Sequence, residues 1–295
     1  MAASPIRARM VRADDLEFGI LEAGAAAQGP LALCLHGFPD SAHTWRHLLP
    51  ALAGAGFHAV APFMRGYAPT GIPADGEYGI GALAADAIAL HETLGGAGDA
   101  VLIGHDWGAE AAYAAGAHAP DRWRRLVTIA VPPAALDPVL FSDYDQLRRF
   151  FYLFIFRDPL GFADAVVAAD DMAFLDRLWR DWSPGYDAAA ELRRVKECLR
   201  EPGRLAAAIG YYRAAGDHDP AGRYAAQERA ASRQAPQPTL YLHGADDGCI
   251  AAGLARRAGP LLARGSRLVV LERAGHFLHL EQPAEAGEHI LGWIR

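Results

Sequence analysis

The pentapeptide Gly104-His105-Asp106-Trp107-Gly108 constrains this chain more than any other feature. It follows the apolar run AVLIGH at residue 100 and opens a stretch of small residues, Ala109 to Ala117, at helical spacing. A strand that enters a helix through one sharp turn holds the central residue of the turn in a strained backbone conformation. Glycines two positions away on either side remove the crowding that larger side chains would bring. Such a turn lifts one side chain, here Asp106, above the carboxyl edge of a sheet, where open α/β sheets bind ligands. A carboxylate in that place suits attack on a saturated carbon, since displacement leaves an ordinary ester, whereas attack on an acyl carbon would leave an anhydride. The competing role for Asp106 is to cap the following helix, a position that favours Asp.

Around this turn the pattern alternates. LALCLHG at 31, FHAVAP at 57 and LVTIAV at 126 read as further buried strands, and Leu83, Ala87, Leu90 and Leu94 repeat at helical spacing between them. Strands alternating with helices imply a mostly parallel sheet covered on both faces. The rhythm breaks at Pro132-Pro133, and from there to about residue 230 the chain carries Trp, Tyr, Phe, Arg and Asp at helical periods without β-branched runs. Strand patterns return at PTLYLHG (238) and SRLVVLE (266), before a last helix beginning near Pro283. The expected organisation is a core of residues 1–132 and 231–295 with a helical cap inserted at 133–230. At 295 residues and 52% hydrophobic content the chain has enough apolar material for such a core.

Charge narrows the partners. Lys and Arg total 28 against 35 Asp and Glu, a net charge of −7 with the signs interspersed, so nucleic acid and anionic membrane are poor fits. No apolar stretch follows the first basic residues, and the longest strongly apolar run, Phe150 to Phe156, is too short to span a bilayer, so a cytoplasmic protein is expected. Cys34, Cys198 and Cys249 are widely separated and odd in number, which argues against a disulfide framework or paired metal ligands. Each is read as a small buried hydrophobe. No metal or organic cofactor is expected, and a homodimer is left open.

HGFPD at 36–40, GHDWGAE at 104–110, HGADDG at 243–248 and AGHFLH at 274–279 together resemble the epoxide hydrolase branch of the α/β-hydrolase superfamily, a branch related to the haloalkane dehalogenases. The resemblance runs through nearly the whole chain in order and spacing. It implies the α/β-hydrolase fold, with Asp106 as nucleophile and His276, in a Gly-His-Phe loop after the last strand, as the base that activates water. Of the two neighbouring acids, Asp247 matches the Gly-x-x-Asp spacing from Gly244 and would orient His276, which leaves Asp246 to solvent. Val131-Pro132-Pro133 has no carboxylate where some dehalogenases carry this acid. The amides of Phe38 and Trp107 would hold an oxyanion.

The resemblance also implies paired cap tyrosines that donate to an epoxide oxygen. Tyr152, seven residues before Pro159, matches the first and Tyr212, in Tyr211-Tyr212-Arg213, the second. The substrate implied is a small, neutral, apolar epoxide, opened to a diol. A haloalkane dehalogenase is the alternative, and a ligand-binding member of the fold without turnover is a third. Position 38 is Phe where one dehalogenase group has Asn, though Trp179 or Trp182 could supply a second donor. Glu110 to Ala114 offers no arginine to hold a small acidic substrate. Met64 and Ala68 replace the commoner Asp and Gly of the Arg-Gly-Tyr-Gly loop, and Leu153 stands where some epoxide hydrolases have Gln. Phe150, Phe154, Phe156 and Trp182 are candidates to shape the pocket. His279 is read as structural or surface, and the His276/His279 pair as lacking the companions of a metal site.

Overall fold

The computed structural model describes residues 4–25, 29–158, 161–215, 219 and 221–295. Its eight strands are β1 (Arg7–Ala13), β2 (Leu16–Ala23), β3 (Leu31–Leu35), β4 (His58–Pro62), β5 (Ala100–His105), β6 (Trp123–Ile129), β7 (Thr239–Gly244) and β8 (Arg267–Leu271). They form one sheet in the order β1-β2-β4-β3-β5-β6-β7-β8. From β4 across to β8 every pairing is parallel, while β1 pairs with β2, and β2 with β4, antiparallel. Strands β3, β4, β5 and β7 are buried at every residue, which is why each reads as an unbroken apolar run instead of an alternating one.

The β1–β2 hairpin has no counterpart in the sequence reading. Arg7 to Met10 are solvent-exposed, so β1 shows no apolar pattern, and it is held by its ladder to β2 and a turn in which Asp14 takes a positive φ of 51°. The first helices of the core are α1 (Leu48–Gly54), α2 (Ile80–Thr93) and α3 (Trp107–His118). Helix α3 is built almost wholly of Ala and Gly on its inner side, so it lies close against β3, β5 and β6 and against α2.

Between β6 and β7 the described chain is helical: α4 (Asp137–Leu140), α5 (Tyr144–Arg149), α6 (Phe151–Phe156), α7 (Ala163–Trp182), α8 (Ala189–Leu199), α9 (Arg204–Ala214) and α10 (Ala225–Ala231). After β7 come α11 (Ala252–Ala255), α12 (Leu278–Glu281) and α13 (Pro283–Ile294). Helix α7 is broken at Ala169 to Met172, where Asp170, Asp171 and Met172 all have positive φ. Asp tolerates that region better than most residues, and Asp171 is tied there to Arg200 at 2.9 Å. Beyond the break α7 reaches the carboxyl edge of the sheet. There the Trp179 indole stacks on Phe277 with ring centroids 3.5 Å apart, and its Nε1 donates to the Pro39 carbonyl at 2.7 Å. No described helix is long and apolar enough to cross a membrane.

The turn between β5 and α3 brings backbone against backbone. A Cβ on Gly104 would collide with the Gly108 carbonyl, and one on Gly108 would collide with the Leu35 carbonyl of β3. In each case the obstacle is backbone, which cannot turn aside. The Gly108→Ala variant is therefore expected to lose about 3 kcal/mol of stability, read as a lowered midpoint in urea unfolding. An unchanged midpoint would show that α3 can slide off β3 at no cost.

Candidate active site

Asp106 sits at the turn with φ 52° and ψ −120°, and its carboxylate does not cap α3. It points across the sheet edge instead, where Oδ1 accepts the Phe38 N–H at 2.8 Å. Gly37 makes room for this, since a Cβ there would run into the Asp106 side chain. Among the described residues the Phe38 amide is the group that donates to this carboxylate. The Trp107 amide, first in α3, has no partner within the helix. Phe38 is held by its own ring, which is fully buried edge-on against Phe156 and Tyr212. A side chain with no donor thus fixes the position of a donating amide.

His276 arrives from the loop after β8. Its Nδ1 bonds Asp247 Oδ2 at 3.0 Å, and its Nε2 faces Asp106 Oδ2 at 3.6 Å. Asp247 is buried and also accepts the amides of Cys249 and Ile250 at Oδ1, whereas Asp246 is exposed. Burial works against charge on the imidazole, but Asp247 and Asp106 together overcome it and lift His276 to about 10. Burial likewise opposes charge on Asp247, and His276, His243 and the amides reverse this and hold its carboxyl below the usual value.

Tyr152 and Tyr212 come from α6 and α9 and meet over the carboxylate, with ring centroids 5.7 Å apart. Both are buried. Tyr211 donates its hydroxyl to the Arg65 carbonyl at 2.8 Å, while the Tyr212 hydroxyl has no hydrogen-bond partner among the described residues and its ring stands edge-on to Trp107. The Tyr152 hydroxyl has the Cys249 sulfur at 3.4 Å. Burial pushes both phenols well above their usual range, so each remains a donor at neutral pH. Pro159, the other half of the first tyrosine pattern, lies outside the described residues. The carboxylate and both tyrosines open on a cavity of about 170 Å³, whose apolar walls include Val131, Leu140, Phe150, Leu153 and Ile250.

Residues 30–283 match the family model described as the alpha/beta hydrolase fold. The chain belongs to this family. It is 30% identical to epoxide hydrolase A of Mycobacterium tuberculosis, with 97% of this chain and 96% of that protein covered. It is also 30% identical to an epoxide hydrolase of Caballeronia sordidicola, covering 97% and 92% of the two chains. Among solved structures, epoxide hydrolase A of Mycobacterium thermoresistibile superposes with a TM-score of 0.79 at 29% identity over 98% of both chains. With such relatives along its length, the chain is a hydrolase.

In this α/β-hydrolase several residues do not behave as the sequence suggests. Phe154 is exposed and is not among the residues lining the cavity; Phe150 lines it, and Trp182 packs edge-on to His276 at 5.0 Å. Trp179 spends its indole N–H on Pro39 and has none to offer a leaving group. Cys249 is buried as expected, but it lines the cavity and contacts Tyr152 and Asp247. His279 does have companions: Asp40 Oδ2, His105 Nδ1 and His279 Nδ1 are buried without a hydrogen-bond partner among the described residues, with His105 Nδ1 3.6 Å from Asp40 Oδ2, in a group whose ligand atoms lie within 4.8 Å of one another and could hold a metal ion. Asp247, Cys249 and His276 form the other such group among the described residues. The loop carrying Met64 is closed by the Met64 amide donating to His36 Nε2 at 3.0 Å, which explains why it holds without the commoner Asp.

The His276 loop is clamped by a route no local motif reveals. Glu281 accepts the Ser183 hydroxyl at 2.6 Å and the Gly275 amide at 2.8 Å, and the His276 amide donates to the Trp182 carbonyl at 2.9 Å. Residues at the end of α7 thereby set the height of the imidazole. The folded pKa of His276, about 10, lies above its ordinary 6.5. Its pairing therefore stabilises the fold fully below about pH 6.5, and that contribution is lost as the pH rises through about 10. The Asp106→Asn variant, which removes one of the two charges responsible, is expected to lose less stability than the wild type between pH 7 and 10 in urea titrations. Equal losses would mean that Asp106 does not hold the imidazolium.

Proposed function

We propose that this α/β-hydrolase opens an epoxide to a vicinal diol through an alkyl ester on Asp106. The observation that carries this reading is the arrangement around one cavity: a strained elbow carboxylate below, two buried phenol donors above, and His276 Nε2 3.6 Å from the carboxylate. In this reading residues 133–230 are the cap that brings the phenols over the nucleophile.

Asp106 Oδ2 attacks the less hindered ring carbon, the ring C–O bond breaks, and its electron pair passes to the ring oxygen. Tyr152 and Tyr212 hydrogen-bond that oxygen, and one of them gives it a proton. The carboxylate has now become a neutral ester. One of the two charges that held the proton on His276 has gone, so the imidazole gives its proton up to refill the tyrosinate. Neutral His276, still anchored through Nδ1 to Asp247, takes a proton from water as the water oxygen attacks the ester carbonyl carbon. The resulting oxyanion lies against the Phe38 amide, with the Trp107 amide as second donor. Collapse breaks the acyl C–O bond, and the diol leaves with an oxygen that began in Asp106. His276 returns the proton to it. No step needs a metal or an organic cofactor.

A dehalogenase would use the same carboxylate but needs donors for halide, and here the side chain of Phe38 offers none and the Trp179 indole is engaged, which leaves the indoles of Trp107 and Trp182 for that role. The test is the intact mass of the His276→Ala variant after exposure to a mixed panel of epoxides and alkyl halides. The expected result is an adduct with the full mass of an epoxide, mapping to Asp106. An adduct of an alkyl group without its halogen would replace this reading with dehalogenation, and a folded variant that never forms an adduct would favour binding without turnover.

A further inference from the structure

Two acids besides Asp106 line the same cavity, and neither has a partner that accounts for it. Glu110 lies on the first turn of α3, its amide closing that turn onto the Asp106 carbonyl at 3.2 Å, and Asp137 lies at the start of α4 on the facing wall. Both are half-buried. Among the described residues no hydrogen bond or ion pair engages either carboxylate. Arg157 is the one cation among the lining residues; it is largely exposed, and its Nε is spent on the Tyr212 carbonyl at 3.0 Å. Burial first, then the charges of Asp137 and Asp106, push Glu110 up to about 8, and burial lifts Asp137 to about 6. Acids set among apolar walls, and ion-paired to none of the described residues, hold their protons more tightly than usual, and a bound cation would draw both to the charged form. The Tyr212 hydroxyl, buried and without a hydrogen-bond partner among the described residues, opens on the same cavity and marks it as a place where a ligand sits.

We propose that Glu110 and Asp137 form a cation subsite, so that the preferred epoxide carries a protonated amine on the end remote from the ring. This rests on the epoxide reading for the reacting end and departs from the neutral substrate that the sequence implies. The apolar walls formed by Leu140, Phe150 and Leu153 take the hydrocarbon between the two ends. The ammonium donates to the two carboxylates while Asp106 meets the ring carbon.

The test pairs two measurements on the wild-type chain. By calorimetry, 1-aminohexane hydrochloride, which cannot react, is expected to bind at least tenfold more tightly than 1-hexanol at pH 7. In turnover, an epoxide with a terminal amine is expected to exceed its isostere with a terminal methyl group at least tenfold in kcat/KM. Both ratios should fall to near one in the Glu110→Gln/Asp137→Asn variant. Equal or weaker binding of the amine by the wild-type chain overturns the subsite whether or not the variant folds. Turnover of both epoxides without preference also overturns it, while leaving the hydrolase reading intact. Tight amine binding with no epoxide turnover supports the subsite and counts against the epoxide reading alone.

Discussion

Asp106 is held in a backbone conformation that costs a non-glycine residue on the order of 1–3 kcal/mol, and the rest of the site depends on it. Two glycines let β5, α3 and the end of β3 come together at backbone contact, and that contact leaves the chain no relaxed alternative. The side chain is thereby aimed away from the helix it would otherwise cap and towards the Phe38 amide. Everything else is arranged around this direction. The amide loop lies below it, His276 beside it and the helical segment above it.

Charge is balanced in the same geometry. Asp106 and Asp247 face opposite nitrogens of one buried imidazole, so two acids share one cation. In the proposed mechanism such a set changes character when Asp106 becomes an ester: the resting ion pair gives way to a neutral base at the moment a base is needed. The helical segment contributes more than a roof. Through Trp179, Trp182 and Ser183 it grips the loops that carry Pro39 and His276, so the phenols, the imidazole and the carboxylate are gauged against one another across the domain. The unpaired Glu110 and Asp137 lie outside that balance, which is why they point to a charge that the substrate brings.

The sequence displays what is local and what is buried on both sides. The inner strands announce themselves because most of their residues are apolar, and the elbow because two glycines and an acid stand at fixed offsets. The spacing from Gly244 separates Asp247 from Asp246, and the structure puts only the former against the imidazole. Other features stay hidden for physical reasons. Strand β1 is exposed along most of its length and has no pattern to read. The break in α7 sits in a run of Ala and Asp that an exposed helix could equally contain, and it is fixed by charges on α8. Asp40, His105 and His279 converge from segments far apart in the chain, as do Ser183 and Glu281. Glu110 on α3 and Asp137 on α4 line one cavity from segments separated by β6. Periodicity does not report contacts of that kind.

The central claim is that an oxygen of Asp106 leaves with the product, and a single turnover in water enriched in oxygen-18, with enzyme in excess over epoxide, tests it most directly. The account predicts an unlabelled diol and one heavy oxygen in the peptide that contains Asp106. A labelled diol from that first turnover, with Asp106 unlabelled, would mean that water attacks the epoxide directly and that no ester forms.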